Sequence, residues 1–218
     1  MTGRVRLPFG FANTTRRVGS TVVKEYEGRA ARDRLLTEVA ALNDVADLLP
    51  VPRIVEATED PPVVRMAFVE GAPASARLSE SHPTESRPAD DVLHRMGVVL
   101  RDFQTAYRKR TGRVRVHGDY GPNNVLLRSD GSVAAVIDWE WSRFGDPLTD
   151  AAWMEWALRI HYPGVSPAAF YDGYGHRPPW AARHLSMMDA VAWRAERAIT
   201  DPVTWQQRLD ATARLEDA

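Results

Sequence analysis

The hydrophobic pattern changes period along the chain. Over residues 4 to 26 it alternates as short antiparallel strands do. Val5 and Leu7 interleave with arginines, Pro8 to Thr15 has turn chemistry, and Thr21-Val22-Val23-Lys24-Glu25-Tyr26 is rich in strand formers. Residues 30 to 49 then repeat at helical spacing, with Leu35, Val39, Leu42, Ala46 and Leu49 as the apolar stripe. Glu38 falls on that same side, where a carboxylate needs a partner unless it sits at the stripe's edge and reaches water. Pro50-Val51-Pro52 ends the helix. Two more strand-like runs, Arg53 to Val55 and Val63 to Val69, flank a Glu59-Asp60-Pro61-Pro62 turn, and Glu70-Gly71 breaks the pattern.

The period then becomes helical almost to the end. Ala72 to Asp90 is polar and rich in Pro and Ser, which predicts a surface loop with a solvated His82. Asp91 to Lys109 predicts a helix with Leu93, Met96, Leu100, Phe103 and Tyr107 on one face. Val125 to Leu127 and Val133 to Ile137 predict a hairpin around a Ser129-Asp130-Gly131-Ser132 turn. Asp146 is a helix N-cap with Pro147 behind it. That helix runs through Trp153, Trp156 and Ile160, with Asp150 in its first turn ordering nearby backbone. A short helix to about Tyr174 follows. Another opens at Pro178-Pro179 with Leu185, Met188, Ala192 and Ala195 as its stripe, and a last one opens at Asp201-Pro202. The organisation expected is α+β: residues 1–71 as a small antiparallel β lobe, 72–91 as a polar connection, and 92–218 as a mainly helical lobe.

Composition narrows the function classes. The chain has 218 residues and a net charge of −1, ample for a core and with no electrostatic reason to bind nucleic acid or an acidic membrane surface. Cys 0 excludes disulfides, thiolate metal sites and a thiol nucleophile. No apolar run matches a signal peptide or a bilayer span, so the expectation is a soluble cytoplasmic protein without membrane or nucleic-acid partners. Lys24 and Lys109 are the lysines among 28 basic residues. A lysine kept amid so much arginine suggests a role that arginine cannot fill.

The chemistry concentrates around the hairpin. Asp119 and Asn124 stand at its entrance and Asp138 at its exit, so folding it gathers two carboxylates and an amide around one small volume. Hard oxygen donors in that arrangement suit Mg²⁺. The spacing sharpens the expectation. Protein kinases carry H-R-D-x-x-x-x-N followed by D-F-G. Here His117-Gly118-Asp119 is followed at the same offset by Asn124, and Asp138-Trp139-Glu140 occupies the later position. With Gly145-Asp146-Pro147-Leu148-Thr149-Asp150-Ala151-Ala152-Trp153 after it, the chain resembles the aminoglycoside phosphotransferase and choline kinase branch of the kinase-like fold.

The resemblance implies a two-lobed kinase-like fold and a phosphotransferase moving the γ-phosphate of ATP or GTP, with Mg²⁺, to a hydroxyl of a small molecule. It implies Asp119 as catalytic base and Asn124 and Asp138 as metal ligands. Lys24 would meet the phosphates with Glu38 as its helix partner, Glu27 being a competitor. Met66 to Val69 would be the hinge whose backbone, at Ala67 and Val69, holds the base. Gly10 to Thr14, including Asn13, would be the phosphate-facing loop; as residues alone it reads equally as a hairpin turn. His117 would order the loop, and Glu140 would face metal or acceptor or be structural. The two rival functions are a non-catalytic nucleotide-binding module and a metal-dependent phosphohydrolase.

The acceptor is less defined. From Trp139 onward eleven Asp/Glu stand against eight Arg, no strong surplus for a polycation. Helical spacing assigns Trp153 and Trp156 to packing, leaving Trp139, Trp141 and the Tyr162 to Tyr174 aromatics as candidate pocket walls. The expected acceptor is a hydroxylated molecule of modest positive charge at most.

Overall fold

A computed structural model describes residues 5–6, 13–80, 87–197 and 202–217, so Gly10 to Ala12 and His82 lie outside the described residues. The amino-terminal lobe is a five-stranded antiparallel sheet of β1 (Val5–Arg6), β2 (Asn13–Val18), β3 (Thr21–Tyr26), β4 (Ile54–Glu59) and β5 (Pro62–Ala67), ordered β1-β2-β3-β5-β4. Helix α1 (Ala31–Val45) crosses from β3 to β4. Its buried stripe is Arg34, Leu35, Glu38, Ala41, Leu42 and Val45, continued by Leu49 beyond its end, so the packed face is turned slightly from the expected one and Ala46 is exposed.

The tract expected to be a polar loop is partly ordered. It holds β6 (Ala72–Pro73) and α2 (Ala74–Glu80), because Ala74 and Leu78, one helical turn apart, both enter the core. A two-turn helix with only Leu78 as a large apolar residue leaves little hydrophobic signal. Then follow α3 (Arg87–Thr111), β7 (Arg115–Val116), β8 (Val125–Leu127), β9 (Val133–Val136), β10 (Arg143–Phe144), α4 (Leu148–His161), α5 (Ala168–Tyr174), α6 (Trp180–Glu196) and α7 (Pro202–Ala213). The expected hairpin is β8–β9, in register from Val125 opposite Val136, with Arg128 N–H donating to Ser132 O at its turn. Asp146 Oδ1 accepts the N–H of Leu148, as an N-terminal cap should. In α6 the stripe is again shifted. Met187, Ala190 and Val191 are buried while Leu185 is exposed, because Arg183 turns inward to Glu155.

One apolar cluster runs through both lobes, from Tyr26, Leu35 and Val64 to Leu100, Phe103, Val136 and Trp139. A second, around Trp153, Trp156, Met187, Val191 and Trp205, joins α4, α6 and α7. The carboxyl end of α1 is tied to the helical lobe through Asp44. Its carboxylate accepts Tyr107 Oη–H at 2.5 Å and Arg115 Nε–H at 2.8 Å, and its carbonyl accepts Arg110 Nη2–H at 2.6 Å. Helix α1 therefore presents Glu38 from a mount anchored on both lobes.

Helices α3 and α5 pack closely where Gly97 and Gly173 leave no room for a side chain. A Cβ on Gly97 would press on Phe170 O and lie 2.7 Å from Tyr174 N, both backbone atoms that cannot swing aside. We expect Gly97→Ala to destabilise the fold by about 1–3 kcal/mol. The thermal midpoint should fall by roughly 2–4 °C per kcal/mol; an unchanged melting curve would contradict this packing.

Candidate functional site

The segment between β7 and β8 is shaped from beneath by Asp150. From the first turn of α4 its carboxylate accepts the backbone N–H groups of His117 and Gly118, each at 2.8 Å. This is the ordering role its sequence position suggested. Gly118 has φ 81°, in the left-handed region, and a Cβ there would collide with the Trp141 carbonyl, which explains why glycine precedes Asp119. His117 completes the loop: its Nε2 is 2.9 Å from Ile137 O and its Nδ1 accepts Asp119 N–H at 3.1 Å. Only the neutral ring with hydrogen on Nε2 satisfies both.

Asp119 projects from that loop with its side chain 21% exposed. Asn124 Nδ2 donates to its main-chain carbonyl at 2.8 Å and to its Oδ2 at 3.1 Å. Trp153 Nε1–H donates to Oδ1 at 2.8 Å, and Arg194 Nη2 is 3.2 Å from the same oxygen. Burial lifts the Asp119 carboxyl above the ordinary aspartate range against the pull of Arg194. With its Nδ2 spent on Asp119, Asn124 keeps Oδ1 as a ligand face for a cation.

Across the cleft, Lys24 reaches from β3. Its ammonium lies 2.6 Å from Glu38 Oε2, 2.5 Å from Asp138 Oδ1 and 3.4 Å from Glu140 Oε2. The partner expected for Lys24 is therefore Glu38, while the competing Glu27 accepts Thr14 Oγ1–H at 2.8 Å. Burial alone would lower the Lys24 ammonium, but Asp138, Glu38 and Glu140 outweigh it and hold it well above the usual lysine range. Burial likewise pushes Asp138 up, and Lys24 beside it more than offsets this, leaving that carboxyl below its ordinary value. Asp138 takes φ 68°, a left-handed backbone unusual for a non-glycine residue, which turns its carboxylate toward Lys24.

Glu38 has two further donors, Tyr26 Oη–H and, at 3.3 Å, Trp139 N–H. Asn13, expected near the nucleotide, has its side chain engaged within the protein: Nδ2 donates to Glu140 at 2.7 Å and Oδ1 accepts from Arg34 at 2.9 Å. Glu140 thus joins Asn13, Arg34 and Lys24 in one buried network, its Oε2 lying 3.2 Å from Arg34 Nη1. Carboxylate oxygens of Glu38, Asp138 and Glu140 lie within 4.8 Å of one another. Three acids against Lys24 and Arg34 leave one negative charge in excess, and with Asn124 Oδ1 the donor set is all oxygen. Those residues fit a hard divalent cation. Ala67 ends β5, with its N–H donating to Arg53 O at 2.8 Å, and Val69 lies in the connection to β6.

Arg194 had no signal in the sequence, where an arginine on an amphipathic helix reads as a solvated charge. Its guanidinium stands over Trp141, with its carbon 4.3 Å from the ring centroid, and 5.3 Å from the Trp153 centroid. The aromatics are reassigned accordingly. Trp139 is 1% exposed and packs edge-on against Phe103, while Phe170, Tyr171 and Tyr174 are buried in the core, so these are not pocket walls. Trp153 packs as helical spacing assigned, stacked on Trp156 at 4.5 Å between ring centroids, and its Nε1–H also reaches Asp119.

Burial holds His117 below the ordinary imidazole range, against the pull of Asp150. The unfolded chain accepts that proton near pH ~6.5. The contribution of His117 to stability is therefore complete above that value and is lost as pH falls below it toward the folded pKa. We expect the wild type to lose stability more steeply than His117→Asn between about pH 6.5 and 5 in urea unfolding. Parallel slopes would contradict the neutral-ring assignment.

Comparison with known proteins places this geometry. Residues 106–186, which contain Asp119, Asn124, Asp138 and Asp150, match the family model described as "Phosphotransferase enzyme family". A mouse protein, acyl-CoA dehydrogenase family member 11, is 42% identical over 53 residues, a stretch that is 24% of this chain and 6% of that protein's length. Solved structures share the fold across nearly the whole chain. A gentamicin complex of APH(2")-IIa superposes with TM-score 0.69 at 13% identity, covering 98% of this chain and 92% of that one. A ternary complex of the aminoglycoside phosphotransferase APH(4)-Ia with AMP-PNP and hygromycin B gives TM-score 0.65 at 19% identity, covering 97% and 93%. A choline/ethanolamine kinase family protein from Mesorhizobium loti gives 0.64 at 13% identity, covering 97% and 87%. The expected kinase-like α+β fold is the fold of this chain. Among the described residues no helix is long and apolar enough to cross a membrane.

Proposed function

We infer that this chain, which has the fold of those phosphotransferases and matches their family through its catalytic segment, transfers the γ-phosphate of ATP or GTP to a hydroxyl of a small molecule. The observation that carries the reading is Lys24, held 2.6 Å from Glu38 and 2.5 Å from Asp138, on the far side of the cleft from Asp119. A buried ammonium among several carboxylates is positioned to meet phosphate oxygens. Asn124 and Asp138 would hold Mg²⁺, which would supply neutralisation of the phosphate oxygens. The backbone at Ala67 and Val69 takes the nucleotide base. Asn13, held by Arg34 and Glu140 at the start of β2, belongs to the nucleotide side of the site.

Asp119 takes the proton of the acceptor hydroxyl as that oxygen forms its bond to the γ-phosphorus, and the bond to the β–γ bridging oxygen breaks to release the nucleoside diphosphate. Trp153 and Asn124 hold the Asp119 carboxylate in one orientation, and His117 and Asp150 hold the loop that carries it. Its raised pKa makes it a better proton acceptor than an exposed aspartate.

Asp119→Asn should lower kcat by roughly 100-fold or more while nucleotide in the presence of Mg²⁺ still binds. Following acceptor-dependent nucleoside diphosphate release, beside nucleotide affinity by calorimetry, checks both halves. Full turnover in the pure variant would overturn the reading, and turnover that ignores the acceptor would make the protein a hydrolase.

A further inference from the structure

The charges around Asp119 are divided by side. Facing Lys24, the acids Glu38, Asp138 and Glu140 cluster. On the α6 side Asp119 meets Arg194, with Arg143, Arg197 and Arg208 nearby. The Arg194 charge bears on Arg143 and Arg208, and the Arg197 charge bears on Arg143 as well. These guanidiniums alternate with indoles: Arg194 over Trp141 at 4.3 Å, Arg143 over Trp193 at 4.0 Å, Arg197 over Trp193 at 4.4 Å and Arg208 over Trp205 at 4.5 Å. Among the described residues neither Arg143 nor Arg208 is ion-paired with a carboxylate, whereas Arg197 pairs with Glu196 at 2.9 Å.

The acids that balanced the arginines in the sequence are engaged elsewhere. Asp150 holds backbone N–H groups, Glu155 is bound to Arg183 at 2.5 Å and to Arg159 at 2.8 Å, and Asp146 caps α4. Arg194 is itself only 11% exposed, and its Nη1 is shut from solvent with no acceptor among the described residues. A buried guanidinium donor without a partner is costly, and a bound anion is a direct way to satisfy it.

We propose that Arg194, between Trp141 and Trp153, is an anion-recognition residue of the acceptor site, so that the acceptor carries a carboxylate or phosphate group near the hydroxyl presented to Asp119. The proposal rests on the phosphotransfer reading. A planar guanidinium donates two parallel hydrogen bonds to either anion. An ammonium-bearing acceptor would bring positive charge against a guanidinium 3.2 Å from the catalytic carboxylate. Polycationic amino sugars are therefore poor acceptors.

A matched pyranose set tests this: glucose, glucuronate, glucose 6-phosphate and glucosamine, each titrated calorimetrically into the protein with Mg²⁺ and a non-hydrolysable ATP analogue, and each assayed for transfer with Mg-ATP. At least one of the two anions should bind tenfold or more tightly than glucose, with glucosamine weakest. Which of glucuronate and glucose 6-phosphate wins distinguishes carboxylate from phosphate recognition. Arg194→Gln should erase most of that tenfold preference while moving glucose affinity less, and Arg194→Lys should keep part of it. Equal or absent binding across the set, glucosamine binding as tightly as the anions, or an anion preference that survives Arg194→Gln would overturn the proposal. Transfer to glucosamine that is lost in Asp119→Asn would overturn it while keeping the phosphotransfer reading. Transfer that persists in Asp119→Asn would overturn that reading.

Discussion

The structure turns on one buried ammonium. Lys24, with 7% of its side chain exposed, joins β3 of the sheet to Glu38 of α1 and to Asp138 after the hairpin. Arg34 Nη1 repeats the connection beside it, from α1 to Asn13 of β2 and to Glu140 beyond the hairpin. Removing one member of such a set strands charge in a dry environment, which costs about 3–5 kcal/mol. The neighbourhood is built to keep the set in place. Tyr26 and Trp139 N–H bind Glu38, and Asp44 ties the far end of α1 to Tyr107, Arg110 and Arg115. The left-handed turn at Asp138 completes the triangle.

Most of that triangle was legible in the sequence because its parts sit in short local patterns. Asp119, Asn124 and Asp138 are separated by one hairpin, so their meeting follows from chain geometry alone. Glu38 stood out because a carboxylate on an apolar helical stripe needs a partner, and Asp150 because the first turn of a helix points its acid toward nearby N–H groups. What the sequence hid depends on long-range packing. Arg194 lies on the far side of the fold from the motif in chain order, in a protein with 28 basic residues of which only two are lysines, so its type carries no information. Asn13, Arg34 and Glu140 come from three separate elements, and only the folded lobe makes them one network. The aromatics were hidden for the same reason: only the folded lobe shows that Trp139 packs on Phe103 and that Trp153, at a packing position, also turns its Nε1–H to Asp119. The helix of residues 74–80 was masked by its own polar surface.

The two sides of Asp119 differ in charge. Toward Lys24 the protein gathers Glu38, Asp138 and Glu140 around an ammonium. Toward α6 it gathers Arg194 and indole rings. Asp119 stands at the boundary, raised by burial and steadied by Arg194, Asn124 and Trp153. This division follows from which acids are already engaged, rather than from the total count of acids and arginines.

The central claim is that Lys24 and Glu38 act as a unit in holding nucleotide. A double-mutant cycle on Mg-ATP affinity, comparing Lys24→Met, Glu38→Gln and the combined variant, tests it most directly. Strong non-additivity is predicted, with the second change costing little affinity once the first has been made. Additive losses, or affinity unchanged in Lys24→Met, would contradict the account.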